Sequence, residues 1–232
     1  MKDGANLKIE THLEPIRQSL YNPRWFKEDR LEFLQAEVQR LSFGTLVTSA
    51  PLGIMASHVP MMLDLSAGGN GRLYGHVSRG NHQWRDTPSG SEGLAIFLGP
   101  DAYITPRWYQ TKKETGKVVP TWNYTAIHAR GPVSFIEDAE WLRVAVTSLT
   151  RHHESAAENP WEVRDAPEAY IAGELKTIVG FEMPITSIEG KWKMSQNRPE
   201  ADREGVIAGL EERNAGLDSD VSDEVRTRKH LG

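Results

Sequence analysis

Three consecutive pieces decide the fold: IMASHVPMMLDL (residues 54–65), GGNG (68–71) and RLYGHV (72–77). A β-rich run, a glycine turn and a second β-rich run read as two antiparallel strands joined by a short connection. Pro60 lies inside the first run. It has no N–H to give a ladder, so it forces an edge position or a bulge there. Working upstream, TLVT (45–48) is a short β-branched strand. Before it, Asp29-Arg30-Leu31-Glu32 resembles a capping box. Leu31, Leu34, Val38 and Leu41 follow at helical spacing, which predicts a helix over 29–41 that Gly44 ends.

Downstream, a short polar helix is expected near Asn81–Arg85. LAIFL (94–98) reads as a strand buried on both faces, extended by Ala102-Tyr103-Ile104. Residues 107–121 read as a long polar loop, a kind of segment that is often functional. A strand over Asn123–Phe135 and an amphipathic helix over Glu137–His152 come next, then a short helix at 167–175. Thr177–Ile188 is the last strand, and Pro199 starts a helix over Glu200–Arg213. The fold class is mainly β with peripheral helices (α+β), arranged as a small antiparallel barrel. The expected divisions are an N-terminal arm (1–20), a barrel domain with its terminal helix (21–213) and a polar, disordered tail (214–232).

Composition narrows the chemistry. The 232 residues include no cysteine, so disulfides, thiolate catalysis and cysteine-based zinc sites are excluded. No apolar leader and no stretch of membrane-spanning length is visible, and a cytoplasmic protein without membrane contact is expected. The net charge is −5, with no basic run, which gives direct nucleic-acid binding no support. Seven Trp residues are many for this length, and some of these rings can line a planar ligand.

Four stretches carry candidate chemistry. In Gly75-His76-Val77-Ser78-Arg79-Gly80-Asn81 a strand runs into a turn and a short helix. Free N–H groups at that helix start, the Ser78 hydroxyl and the Arg79 fork suit an anion. The same stretch also reads as an ordinary strand–turn–helix with an exposed Arg. Ser57-His58-Val59-Pro60 offers an imidazole or backbone N–H groups to a ligand, or a structural His. Pro120-Thr121-Trp122-Asn123-Tyr124 suits stacking on a flat ring, or plain core packing. Lys193-Met194-Ser195-Gln196-Asn197-Arg198 gathers cations, a hydroxyl and amides as an anion site or a solvated turn. No metal motif and no dinucleotide fingerprint is present.

Taken in order, these stretches resemble the PaiB family of FMN-binding negative transcriptional regulators. Tyr21-Asn22-Pro23 with Phe26, Tyr103-Ile104-Thr105-Pro106 and Trp108-Tyr109 add to the match, which covers roughly residues 20–212. The resemblance implies a flavin-reductase-like split β-barrel, related to pyridoxamine-phosphate oxidases. It implies a homodimer with FMN at the subunit interface. It places the phosphate on Ser78 and Arg79, with Asn81 beside them, and the Ser57–His58 strand near the isoalloxazine ring. The candidate cofactor-binding set is then Ser57, His58, His76, Ser78, Arg79, Asn81, Trp84, Trp122, Asn123, Lys193, Ser195 and Gln196.

Three functions follow from this reading. One is an FMN-binding regulator. A second is an FMN-dependent oxidoreductase of unknown substrate, for which no general base is named and His58, His76 and His128 are candidates. A third is a haem-handling barrel, which needs an axial ligand such as His. No catalytic residue is assigned.

Overall fold

The structure is a computed structural model and describes residues 20–228. The expected arm therefore lies almost wholly outside the described residues. Eight strands form one antiparallel sheet: β1 (Lys27–Glu28), β2 (Phe43–Ala50), β3 (Gly53–Asp64), β4 (Arg72–Ser78), β5 (Ser91–Ile104), β6 (Thr121–Ile136), β7 (Ile178–Pro184) and β8 (Ser187–Lys193). Their order is β1-β8-β6-β5-β2-β3-β4-β7, and β6 also pairs with β7. That last pairing joins Ser134, Phe135 and Ile136 to Glu182, Phe181 and Gly180 and closes the sheet into a barrel. β8 and β1 continue past the closure on the other half of β6. Inside lie Leu46, Met61, Leu73, Phe97, Phe181 and Met183, all fully buried. The expected antiparallel barrel with attached helices is the fold observed.

The helices are α1 (Leu31–Leu41), α2 (Gln83–Asp86), α3 (Gln110–Thr115), α4 (Ala139–Glu154), α5 (Glu168–Leu175), α6 (Glu200–Arg213) and α7 (Asp218–Thr227). Several boundaries correct the sequence reading. Asp29 caps nothing; it pairs with Lys27 at 2.9 Å, and α1 starts after Arg30 without a side-chain cap. The helix stops at Ser42, in the left-handed region at φ 49°. Gly44 lies inside β2, where a Cβ would meet Ile96 O at 2.7 Å. Leu98 is 66% exposed, so the 94–98 run is buried on one face only. The supposed loop 107–121 holds a 3-10 turn (Pro106–Trp108) and α3, fixed because Asp202 accepts from Thr111 N (2.8 Å) and Oγ1 (2.9 Å). The single strand expected over 177–188 is two strands that part at Ile185-Thr186 and take different places along β6.

The tail is also corrected. Residues 218–227 form α7, whose Val221 and Val225 lie four apart and are fully buried with Val206 and Leu210 of α6. Two apolar residues at that spacing are enough to seat a short polar helix on a neighbour. Asp218, held by Arg213, closes the α6–α7 corner.

Candidate functional site

β3 changes partner at Pro60. Residues 53–60 pair with β2, and residues 61–64 pair with β4, where Met61 faces Gly75. Beyond Gly75, β4 pairs only with β7. Pro60 has no N–H with which to continue the ladder, so the two strands separate there. Gly75 lets them meet just before they part, since a Cβ on it would sit 2.6 Å from Pro60 O. The separation opens a cleft of about 610 Å³.

Ser57, His58, His76, Ser78 and Asn81 all line this cleft, so the first two candidate stretches come together in space. Val59, Val77 and Ile178 supply apolar wall. Thr45 Oγ1 lies 2.9 Å from His58 Nδ1, which fixes that ring. Burial pushes the His76 imidazole below its ordinary pKa of 6.5, so it is neutral at pH 7. No carboxylate lines the cleft. Hydroxyls, an amide and imidazoles without an acid suit an anionic, acceptor-rich ligand with a flat apolar face. The phosphate and ring carbonyls of FMN are such acceptors, so this donor set fits the cofactor that the resemblance implies.

Other candidates fall elsewhere. Arg79 is not part of the lining. Its Nε donates to Lys176 O (2.8 Å), Nη2 to Ile178 O (3.2 Å) and Nη1 to Glu137 (2.5 Å). It ties the end of β4 to the start of β7, beside Trp84, whose Nε1 donates to Arg79 O (2.9 Å). The free amides expected at the helix start are mostly engaged. Arg79 N donates to Thr177 O (2.7 Å), Asn81 N to Ser78 O (2.9 Å) and Gly80 N to Ser78 Oγ (3.2 Å).

Trp122, Asn123, Lys193, Ser195 and Gln196 form a second cluster where β6 meets β8. Asn123 Nδ2 donates to Ser195 Oγ (3.0 Å), and both residues are buried. Gln196 Nε2 donates to Trp192 O (2.6 Å), and its Oε1 accepts from Met194 N (2.7 Å). Lys193 Nζ donates to Thr121 Oγ1 and to Trp122 O (2.6 Å). Burial, then the nearby charges of Lys191 and Arg198, lowers the Lys193 pKa. Trp122 is 52% exposed. β3 and β8 lie four ladder steps apart around the sheet, by way of β2, β5 and β6.

Sequence reasoning missed Thr177, Ile178 and Glu137. The first two line the cleft and the third pairs with Arg79. Nothing local to them marks a site; the β4–β7 ladder brings Ile178 and its neighbour Thr177 there, and Glu137 follows the β6 residues that pair with β7.

The chain is similar to known proteins in sequence and in fold. The family model described as "Putative FMN-binding domain" matches residues 20–187. The protease synthase and sporulation protein PAI 2 of Bacillus subtilis is 35% identical over 192 residues, 83% of this chain and 89% of that protein. An uncharacterised protein of Emericella nidulans is 35% identical, covering 83% of this chain and 90% of its own. Among solved structures, the flavocytochrome Anf3 of Azotobacter vinelandii superposes with a TM-score of 0.51 at 9% identity, over 72% of this chain and 69% of that one. The FAD and heme binding protein of Mycobacterium smegmatis gives 0.51 at 14% identity, over 79% and 80%. These two likenesses are likenesses of fold.

Proposed function

The chain belongs to this FMN-binding domain family and binds FMN; from that premise we propose that it works as a homodimer, with one FMN at each junction of cleft and partner. It is a cytoplasmic regulator of the PaiB kind in this reading. The carrying observation is the acid-free cleft at the β3–β4 split. Ser57, His58, His76 and Ser78 contact the cofactor, with Asn81 held behind Ser57, and Arg79 stands at its phosphate end. The second cluster, with Trp122 and Lys193, reaches the cofactor from the other copy. The placing of the two clusters on strands four ladder steps apart supports that division.

The face between the clusters supports pairing. Phe43 and Leu98 are 60% and 66% exposed on the neighbouring strands β2 and β5. Apolar side chains grouped in this way mark an interface. No helix among the described residues is long and apolar enough to cross a membrane. A net charge of −5 argues for regulation through another protein or a metabolite rather than through operator DNA.

The test is purification followed by absorption spectroscopy and mass identification of the bound molecule. A flavin spectrum with FMN released on denaturation is the expected result. A colourless protein that cannot be reconstituted with FMN overturns the reading. A gel shift persisting at physiological salt would overturn the indirect mode of regulation.

A further inference from the structure

Ser57 Oγ and Asn81 Nδ2 are 2.7 Å apart. The orientation of that amide is fixed independently. Asn81 Oδ1 accepts from the backbone N–H of Gln83 at 2.9 Å, and a backbone N–H can only donate. Gln83 is itself anchored: its buried Nε2 donates to Leu46 O (3.1 Å) and to Thr48 Oγ1 (3.0 Å). The Asn81 amide therefore presents its NH₂ to Ser57, and the Ser57 oxygen must accept. The Ser57 proton then points elsewhere. No described group accepts it, and Ser57 lines the cleft. Ser78 repeats the arrangement, since its Oγ accepts from Gly80 N at 3.2 Å.

We propose that Asn81 is a positioning residue that locks Ser57 as a one-way hydrogen-bond donor toward the ring of the bound flavin, so that the cleft selects an acceptor edge of the cofactor. This rests on the FMN site proposed above. The lock runs from the β2 backbone through Gln83 and Asn81 to Ser57, so the hydroxyl is set before the cofactor arrives. A preset donor needs no reorganisation on binding. It also stabilises the negative charge that a flavin ring gains on reduction.

Dissociation constants for FMN and for riboflavin, which lacks the phosphate, test the lock in Ser57→Ala, Asn81→Asp and the double variant. Asn81→Asp keeps the acceptor for Gln83 N–H but gives Ser57 a second acceptor, which turns its hydroxyl away from the cleft. The expected loss is about fivefold to tenfold for either single change. It is equal for FMN and riboflavin, and the double variant loses little more than Ser57→Ala alone. The midpoint potential of the bound flavin falls in both single variants. Additive losses, or a loss confined to FMN through repulsion of its phosphate, overturn the lock. Wild-type protein that binds neither flavin removes the site itself, a distinct failure. If Asn81→Asp does not fold, Asn81→Ala enters the same cycle. Sub-additivity with Ser57→Ala then supports the lock, and additivity overturns it.

Discussion

Arg79 shows how a single residue can serve two masters. Three of its N–H groups already go to Lys176 O, Ile178 O and Glu137. A phosphate at Ser78 would take the remaining donors and compete with Glu137 for the charge. Arg79→Ala should weaken FMN binding by about tenfold or more, the scale of a lost charge-assisted pair. Glu137→Gln should tighten it by roughly twofold to fivefold, because a rival anion is removed while the backbone ties remain. Fluorescence titration decides: an unchanged constant in both variants would show that Arg79 is only a tie between β4 and β7. His76 gives a pH signature. Burial holds its pKa below 6.5, so between those two values the unfolded chain binds more protons than the folded one. Stability is therefore full above pH 6.5 and falls as the pH drops through the lowered value. His76→Gln should flatten that fall in urea titrations of the apo-protein at about pH 5 and about pH 7.5. Ser57, His58, Ser78 and Asn81 were legible because polar residues inside or just after β-rich runs stand out. Thr177, Ile178 and Glu137 were not, because their roles come from the β4–β7 and β6–β7 pairings, which join segments far apart in the chain.

At the scale of elements, the decisive join is β3 with β4. Pro60→Ala returns an N–H to the point where the strands part. It should let pairing run past Gly75, slow amide exchange over residues 56–60, and reduce FMN affinity as the cleft narrows. Unaltered exchange there would mean that something other than the missing N–H holds the strands apart. A second join ties the chain's two described ends. Glu28 of β1 is buried and accepts from Arg30 Nε (2.9 Å) at the entry to α1 and from Arg228 Nη1 (2.6 Å) just past α7. Burial alone would raise its pKa, but the hydrogen bonds from Arg30 and Arg228 overcome it and hold the carboxyl at about 2, against 4.5. Its stabilisation is thus present above pH 4.5 and is lost as the pH falls toward 2. Glu28→Gln should cost about 2–3 kcal/mol at neutral pH, read as a shifted urea midpoint, and should flatten the acid limb. Periodicity revealed most helices because their apolar stripes are local. It missed α7, with two buried valines in a polar sequence, and it merged β7 with β8, because both are β-rich and only their different stations along β6 separate them.

For the whole molecule, the exposed face of β2 and β5 sets the next expectation. Phe43→Asp with Leu98→Asp should convert a dimer to a monomer in sedimentation and lower FMN affinity, while the melting temperature of the apo-protein moves little. Both side chains already face outward, and surface changes of this kind rarely unfold a domain. A wild-type protein that sediments as a monomer would sink this expectation outright. The barrel class could be read from many short β-rich runs punctuated by glycine turns, but its closure could not. Closure depends on Phe135 meeting Phe181, and on Gly131 admitting Pro184, whose O would lie 1.9 Å from a Cβ there. That closure has a consequence for synthesis. The cleft takes its lining from residues 57 to 178, and its far wall is the first residue of β7. A growing chain that has made β2 through β6 carries the candidate polar residues but not the wall opposite them. The complete lining of the cleft thus exists only once β7 has been made.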